Sequence, residues 1–370
     1  HLDIVTDGNE HVIRARFADA EFFYSKDTQH KLSDFLPQLD KLTFQAKLGS
    51  MLDKTHRLEK LTPFVADMLD LDEETTRVAA RAAALAKADL ATSMVVEMTS
   101  LQGIMGGQYA RLSGEEASVA EAIATQYEAV SPSGPAMALA LADRLDSLMG
   151  LFAAGLVPKG SNDPFALRRA ALHIIENLVA HEQVFDLRQA LPAAGALLPI
   201  ASNQQVVEEV LEFIGGRLAG VLRESGYASA VVKAVLAELA HDPTNATQTA
   251  ADLQEVMEAA DWAELLNEYA RCVRITRNLD VAYDLRPNDF ELEAEKQLFT
   301  AYQKAAAVAD GSLPTFAVSL RQIMPAISRF FDEVLVMDEK QKLRENRLAL
   351  LQHISNLTIG IADLSFLPGF

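Results

Sequence analysis

Three arginines recur at three-residue intervals in the segment EYARCVRITRN: Arg271, Arg274 and Arg277. On an α-helix, such residues lie on successive turns and form a strip of guanidinium groups that drifts slowly around the helix. Guanidinium groups match phosphate oxygens in two-point hydrogen bonds, so the strip is a candidate for tracking a nucleic-acid backbone. Acidic side chains lie on the turns before the strip, and ion pairs within the helix are the simpler explanation of the pattern.

A second basic cluster lies near the end of the sequence and comprises Lys340, Lys342, Arg344 and Arg347. A solvated helix face is the more common cause of such a cluster, and phosphate binding is the functional alternative. Neither basic segment is specific by itself.

A carboxylate interrupts the most apolar helical pattern, ALALADRLDSLMGLF at residues 138–152. Leu141, Leu145 and Leu148 share one helix face, and Asp143 lies at the edge of that face. Asp143 could be a metal ligand, a residue that contacts RNA or a solvated border residue. The pattern alone does not choose between them.

Signatures of several enzyme classes are absent from the sequence. There is no GxxxxGK[ST] or GxGxxG phosphate loop, no GxSxG nucleophile elbow and no HExxH zinc motif. The histidines are scattered singly, and Cys272, the only cysteine, rules out an internal disulfide and a thiolate metal cage. We therefore assign no catalytic residue and no metal site to this sequence.

Composition describes an ordinary globular protein with an acidic surface. The 370 residues are enough for two or three domains, and no apolar run approaches the roughly 18 residues of a membrane span. A formal net charge of −19 argues against loose attraction to nucleic acid, but not against a local basic strip. Cysteine usage favours a reducing, cytosol-like compartment. The start at His1, within a predicted hairpin, leads us to expect the carboxyl-terminal part of something longer.

Strand patterning is confined to the first residues. In LDIVTDGNEHVIRARF, a β-branched run, the turn residues Asp7-Gly8-Asn9 and an alternating run at 12–17 predict a short β-hairpin. Almost all later segments have helical period, interrupted by breaks such as VPKGSNDP at 157–164. In that break, Asp163 is placed to cap a helix whose first residue is Pro164.

Several blocks of sequence, taken in order, resemble one family. They are GNEHVIRARFADAEFFY, KLGSMLDKTHRLEKL, RAAALAKADLATSMVVEMTSLQGIMGGQYA, ALADRLDSLMGLFAAG, SNDPFALRRAA and ENRLALLQHISNLTIGIADLSFLPGF. Along nearly its whole length the sequence is similar to the β subunit of the bacterial-type glycyl-tRNA synthetase. This enzyme is built from α and β subunits, which are fused in some bacteria and in plastids.

The resemblance implies a mainly α fold in four parts. Residues 1–39 would end an upstream β-containing domain, with the short β-hairpin at the amino terminus, and residues 40–185 would form an HD-like helical domain. Residues 186–249 would be a helical linker, and residues 250–370 an anticodon-binding helical bundle of the arginyl-synthetase type.

The HD-like domain implies the remnant of a metal site. HD hydrolases hold a divalent metal with a first His, an adjacent His-Asp pair and a later Asp, and the resemblance places these positions at His56, Lys87, Ala88 and Asp143. An ammonium group would repel a cation and alanine offers no ligand atom, so we expect a degenerate site without metal. Lys87 would then neutralise Asp143 or, alternatively, contact a tRNA phosphate.

Function also follows from the resemblance. In this family the α portion forms glycyl-adenylate, for which it would use ATP and Mg2+, whereas the β portion binds tRNA-Gly and positions it; no cofactor is expected in this part. The implied partners are tRNA-Gly and the glycyl-tRNA synthetase α subunit or a fused α portion, in a tetramer of two α and two β. The implied location is the cytoplasm or a plastid stroma, without a membrane. The candidate tRNA-binding residues are Arg271, Arg274, Arg277, Arg344, Arg347 and Lys87.

Two other functions fit parts of the sequence. An HD-type metal-dependent phosphohydrolase would bind a divalent metal and lose hydrolysis when Asp143 is replaced by Ala. A helical scaffold that joins subunits would make little RNA contact of its own. The SNDPFALRR block has no task that its sequence reveals beyond capping a helix.

Overall fold

A computed structural model describes residues 2–370, without the side chains of residues 2–4 and 8. The described chain is mainly α-helical, as predicted, and forms two compact units, the first ending at Ile214 and the second beginning at Gly215. None of its helices is long and apolar enough to cross a membrane. The four-part division at residues 39, 185 and 249 stays a prediction.

Within the described residues, the first unit contains nine helices and the start of a tenth, with one short strand pair. The elements are α1 (Leu2–Asp27), β1 (Thr43–Gln45), β2 (Gly49–Ser50), α2 (Met51–Met68), α3 (Glu73–Leu85), α4 (Ser93–Glu97), α5 (Ile104–Leu112), α6 (Ala117–Thr125), α7 (Gly134–Ala153), α8 (Leu167–Ala180), α9 (Leu187–Ala196) and α10 (Gln204–Glu224), which continues into the second unit. Short 3₁₀ segments lie at Leu32–Lys41, Ala88–Ala91 and Thr99–Leu101.

The β-hairpin predicted at the start of the chain is wrong. Helix α1 runs through the predicted turn Asp7-Gly8-Asn9, and no strand lies within residues 2–39. A two-stranded hairpin alone is marginal in water, whereas a helix satisfies its backbone groups within itself. An ion pair of 3.1 Å between Glu10 and Arg14, one turn apart, supports the helix. The strands that the described residues do form are β1 and β2, an antiparallel pair that leads into α2.

The β1–β2 turn fixes the start of α2. Ser50 accepts a hydrogen bond from the Asp53 backbone N–H, and the Asp53 carboxylate accepts one from the Ser50 backbone N–H at 2.7 Å, which forms a capping box. Gly49 has a φ of +87°, and a Cβ there would collide with the Asp53 carboxylate. Glycine is therefore required by both the turn and the cap.

Helix α7 is the centre of the first unit. Almost every side chain from Pro135 to Phe152 is buried, because α2, α3, α6, α8 and α9 pack around it. A helix that is apolar on all sides is buried on all sides. The charged residues within it are enclosed as well, and buried charges need partners.

Helix α8 begins later than predicted. Its first residue is Leu167, and the preceding Ala166 has a left-handed φ of +53°. Asp163 still caps the helix, since its two carboxylate oxygens accept the backbone N–H groups of Leu167 and Arg168, both at 2.9 Å. Pro164 therefore lies in the turn before the helix rather than in its first turn.

The second unit is a helical bundle. After the end of α10 it contains α11 (Ser229–Leu239), α12 (Pro243–Val256), α13 (Trp262–Thr276), α14 (Glu293–Val308), α15 (Leu313–Glu333) and α16 (Gln341–Ser355), with 3₁₀ segments at Pro287–Asp289, Asn356–Thr358 and Leu364–Phe366. Helix α13 packs against α15 and α16, while α15 also packs against α12 and α14. The hydroxyl of Tyr269 donates to the Ser355 backbone oxygen at 2.7 Å and ties α13 to the end of α16.

Candidate functional site

Helix α13 buries one face and presents arginines on the others. Leu265, Tyr269 and Cys272 are buried, and burial raises the pKa of the Cys272 thiol, which is therefore an unreactive core residue. Arg274 and Arg277 are exposed and form no ion pair within residues 2–370.

Ion pairing within the helix explains only part of the arginine strip. Arg271 lies 3.1 Å from Glu268, one turn before it. Asp261 pairs instead with Arg321 of α15, at 2.6 Å. Arg274 and Arg277 thus remain available to a ligand.

Two aromatic rings lie under the arginine strip. The guanidinium carbon of Arg271 is 4.3 Å from the centre of the Phe331 ring, and that of Arg274 is 5.7 Å from the centre of the Phe370 ring. These cation–π contacts hold the guanidinium groups against a surface while their N–H edges remain donors. Phe331 and Phe370 are distant in sequence from α13, so no sequence pattern relates these aromatics to the arginine strip. We call Arg271, Arg274, Arg277, Phe331 and Phe370 the basic–aromatic surface.

The second basic cluster divides into exposed and buried members. Arg347 is 3% exposed, and its guanidinium lies 2.5 Å from Glu295 and 2.8 Å from Asp338. This placement favours a structural role for Arg347 over a phosphate contact. Arg344 is partly exposed and donates to the Asp338 backbone oxygen at 3.2 Å, which leaves it partly available. Lys340 and Lys342 are largely exposed.

The predicted pair between Lys87 and Asp143 forms inside the first unit. Lys87 is 2% exposed, and its Nζ lies 2.8 Å from Asp143 Oδ2. The same ammonium donates to Gln126 Oε1 at 2.8 Å and to the Tyr127 hydroxyl at 3.0 Å. These contacts favour a structural role for Lys87, in which it neutralises Asp143, over a role as a contact to a tRNA phosphate.

His56 does not join this cluster. It is exposed on α2, whereas Lys54 and Arg57 of the same helix point towards α7. Two residues correspond to 200° of rotation on a helix, so His56 and Lys54 face opposite ways. The sequence position matched to a first metal-binding His is therefore not beside Asp143.

Lys54 and Arg57 complete a buried charged network with two aspartates. Lys54 Nζ lies 2.9 Å from Asp143 Oδ1 and 2.8 Å from Asp146 Oδ2, and Arg57 Nε lies 2.5 Å from Asp146 Oδ1. Lys54, Arg57 and Asp146 were not among the residues that the sequence patterns predicted for this site. The spacing of Asp143 and Asp146, three residues apart on a buried helix, was the available signal. We call Lys54, Arg57, Lys87, Asp143 and Asp146 the charged network.

The pKa values of the two aspartates show that the cations dominate the network. Burial alone would raise the pKa of Asp143, but the nearby Lys54 and Lys87 lower it below its usual range. Burial also opposes ionisation of Asp146. The nearby Lys54 and Arg57 outweigh the effect of burial, so the pKa of Asp146 is lowered as well. Both groups are carboxylates at neutral pH.

This donor set does not fit a divalent metal. Ammonium and guanidinium groups occupy the carboxylate oxygens that would ligate a cation, and Ala88 is a buried side chain without a ligand atom. Asp89, the next residue, is buried and accepts the Gly103 backbone N–H. Within residues 2–370, no group of three or more His, Cys, Asp or Glu residues could hold a metal ion.

Two family models match the sequence. One, described as "Glycyl-tRNA synthetase beta subunit", matches residues 1–237, and one described as "DALR anticodon binding domain" matches residues 265–359. The second range includes the three arginines of the basic–aromatic surface and Phe331.

Curated relatives are similar along the whole chain. The chain is 38% identical over 382 residues to the glycine–tRNA ligase beta subunit of Moorella thermoacetica, which covers 99% of this chain and 55% of that protein. It is 37% identical over 385 residues to the glycine–tRNA ligase beta subunit of Proteus mirabilis, and the match covers 98% of this chain and 54% of that protein. It is 38% identical over 378 residues to the chloroplastic/mitochondrial glycine–tRNA ligase 2 of Arabidopsis thaliana, and the match covers 100% of this chain and 35% of that protein. The chain thus spans about half the length of the bacterial relatives and about a third of the plant one.

Proposed function

The chain belongs to the glycyl-tRNA synthetase β-subunit family, and from this premise we propose that it binds tRNA-Gly and positions it for aminoacylation catalysed elsewhere in the enzyme. The observation that carries the proposal is the basic–aromatic surface, of which all residues except Phe370 lie in the region matched by the anticodon-binding model. Arginines that track phosphates beside aromatic rings that stack on unpaired bases are the combination by which proteins recognise single-stranded RNA loops.

The partners follow from the same premise. The bacterial relatives are named as beta subunits, which supports an α portion, separate or fused, as a partner. We propose that this partner, rather than the present chain, binds ATP and Mg2+ and forms the glycyl-adenylate. We propose an assembly of two α and two β. The plant relative is chloroplastic or mitochondrial, so a plastid location is proposed as an alternative to the bacterial cytoplasm.

The rival functions have less support. A phosphohydrolase of the HD type needs a metal, and the charged network places cations where the ligands would be. A scaffold that only joins subunits gives no reason for two arginines of α13 to lie over aromatic rings.

Binding of tRNA to the 370-residue chain tests the proposal. We expect tRNA-Gly to bind more tightly than a non-cognate tRNA, and the triple variant Arg271→Glu, Arg274→Glu, Arg277→Glu to reduce its affinity by about a hundredfold or more. The readout is the dissociation constant from a filter-binding or fluorescence titration. Circular dichroism would check that the variant is folded.

A control of equal charge change lies in the same unit. Lys233, Lys296 and Lys304 are exposed, and their triple replacement by Glu changes the net charge as much as the arginine variant does. We expect the lysine variant to keep affinity within about threefold of the original chain, because it leaves the basic–aromatic surface intact. Equal losses of affinity in the two variants would show that overall charge explains the effect. They would refute the assignment of tRNA binding to the basic–aromatic surface.

A further inference from the structure

A cavity of about 340 Å³ lies beside the charged network in the first unit. Helix α7 provides Asp143 and Arg144 on one side, and the SNDPFALRR segment with the start of α8 provides Phe165, Arg169 and His173 on the other. The volume is within the range of small-molecule sites, roughly 300–1,000 Å³. None of these residues has a part in the basic–aromatic surface.

Arg144 is a buried cation that no ion pair within the described residues neutralises. Its guanidinium donates to three backbone carbonyl oxygens and contacts Nδ1 of His173 at 3.1 Å. Neutral acceptors orient the group without cancelling its charge. Burial lowers the pKa of Arg144, and the carboxylates of Asp143 and Glu176 favour its charged form without forming an ion pair with it. An anion in the adjacent space would offset the cost of this buried charge.

Arg169 adds a second cation to the same cavity. It is exposed on α8 and forms no ion pair within the described chain. Asp143, the one carboxylate that lines the cavity in the part of the chain that the structure describes, is already bound by Lys54 and Lys87. The charge left for a ligand to meet is therefore positive.

Aromatic side chains line the cavity as well. Phe165 is 41% exposed, and Tyr127 lies against the charged network. A planar base stacks on such rings, whereas a phosphate pairs with guanidinium groups. Burial, followed by the charges of Arg144 and Arg169, lowers the pKa of His173 to about 4. His173 is therefore neutral at pH 7, and because Nδ1 accepts from Arg144, Nε2 carries the N–H.

We propose that this cavity binds a phosphorylated nucleoside, with the phosphate paired with Arg169 and attracted by the buried charge of Arg144, whose Nη hydrogens are already donated within the chain, and with the base against Phe165. The chemistry is common to a free nucleotide and to one nucleotide unit of an RNA. The inference gives the SNDPFALRR segment a ligand-binding task and goes beyond the proposed function, since all its residues lie in the first unit.

Titration of the whole chain with two probes, AMP and single-stranded hexa-adenylate, tests the inference. We expect Arg169→Glu to weaken binding about tenfold or more through loss of a charged hydrogen bond, and Phe165→Ala to weaken it through loss of stacking. Arg111→Glu is the matched control, because Arg111 is exposed in the same unit and does not line the cavity. It should leave the affinity within about twofold.

The two probes distinguish the source of the nucleotide. AMP binding that depends on Arg169 identifies a free-nucleotide site, and an Arg169-dependent affinity for hexa-adenylate alone identifies an RNA contact. Absence of binding by both probes overturns the inference, and so does binding that Arg169→Glu leaves unchanged. Because Arg169 lies outside the basic–aromatic surface, failure of the nucleotide-binding test would not affect the proposed tRNA function. Failure of the tRNA-binding test would likewise not affect the nucleotide site.

Discussion

Asp146 illustrates how a buried carboxylate acts in this protein. It is 1% exposed and lies between Lys54 and Arg57, so its charge balances two cations that are themselves buried. In a metal site, a buried carboxylate of this kind would bind a metal cation taken up from solution. Here the cations belong to the chain itself, and the network joins α2 to α7.

Asp146→Asn tests this structural role. We expect it to lower the free energy of unfolding by about 3 kcal/mol, because it leaves the three buried cations of the charged network with one carboxylate, Asp143. Asp67→Asn, at an exposed position of α2, should change it by less than about 0.5 kcal/mol. Urea denaturation followed by circular dichroism provides both values. Equal stability of the two variants would show that the network does not contribute as its geometry indicates.

Arg347 and Arg344 allow a comparison between a buried and a partly exposed arginine of one helix. Arg347→Met should lower the free energy of unfolding by about 3 kcal/mol, because Glu295 loses its partner in the core. Arg344→Met should lower it by less than about 1 kcal/mol, because it loses one hydrogen bond to a backbone oxygen. Thermal or urea unfolding measures the difference. A smaller loss for Arg347 than for Arg344 would contradict the structural role of the Glu295 pair.

Among the secondary-structure elements, helical periodicity predicted more of the structure correctly than the individual motifs did. The pairing of Lys87 with Asp143 was predicted because the resemblance places both residues at one degenerate metal site, and an unpaired buried charge there would be costly. The misplacement of His56 arose because a motif match fixes a sequence position but not the side of the helix that faces α7. The hairpin error had a different cause: alternation over six residues, 12–17, is too short to exclude a helix, and the two strands that the described chain does form, β1 and β2, pair with each other.

The turn into α8 holds a left-handed residue that is not glycine. Ala166 has a φ of +53°, which costs an L-residue roughly 1 kcal/mol. Ala166→Gly should therefore leave the free energy of unfolding unchanged or raise it by up to about 1 kcal/mol. Ala170→Gly, at a half-buried position inside α8, should lower it by about 1 kcal/mol. The opposite order in a urea titration would show that the turn is not left-handed in solution.

At the scale of the whole molecule, charge and function look opposed. The chain has a formal net charge of −19, yet the proposed ligand is a polyanion. Screening resolves this contrast, because at physiological salt charges more than about 8 Å away act weakly on the ligand. Binding is then governed by the local cations. The sequence contained those cations, but only the folded chain places the strip against Phe331 and Phe370.

The salt dependence of tRNA-Gly binding measures whether Arg271, Arg274 and Arg277 contact RNA phosphates. Each phosphate contact contributes about 0.7–0.9 to the slope of the logarithm of affinity against the logarithm of salt concentration. We predict that replacing Arg271, Arg274 and Arg277 together by Gln reduces that slope by about 2 to 3 in magnitude. An unchanged slope in a folded variant would show that these arginines do not contact RNA phosphates, and the basic–aromatic surface would not be the tRNA-binding surface.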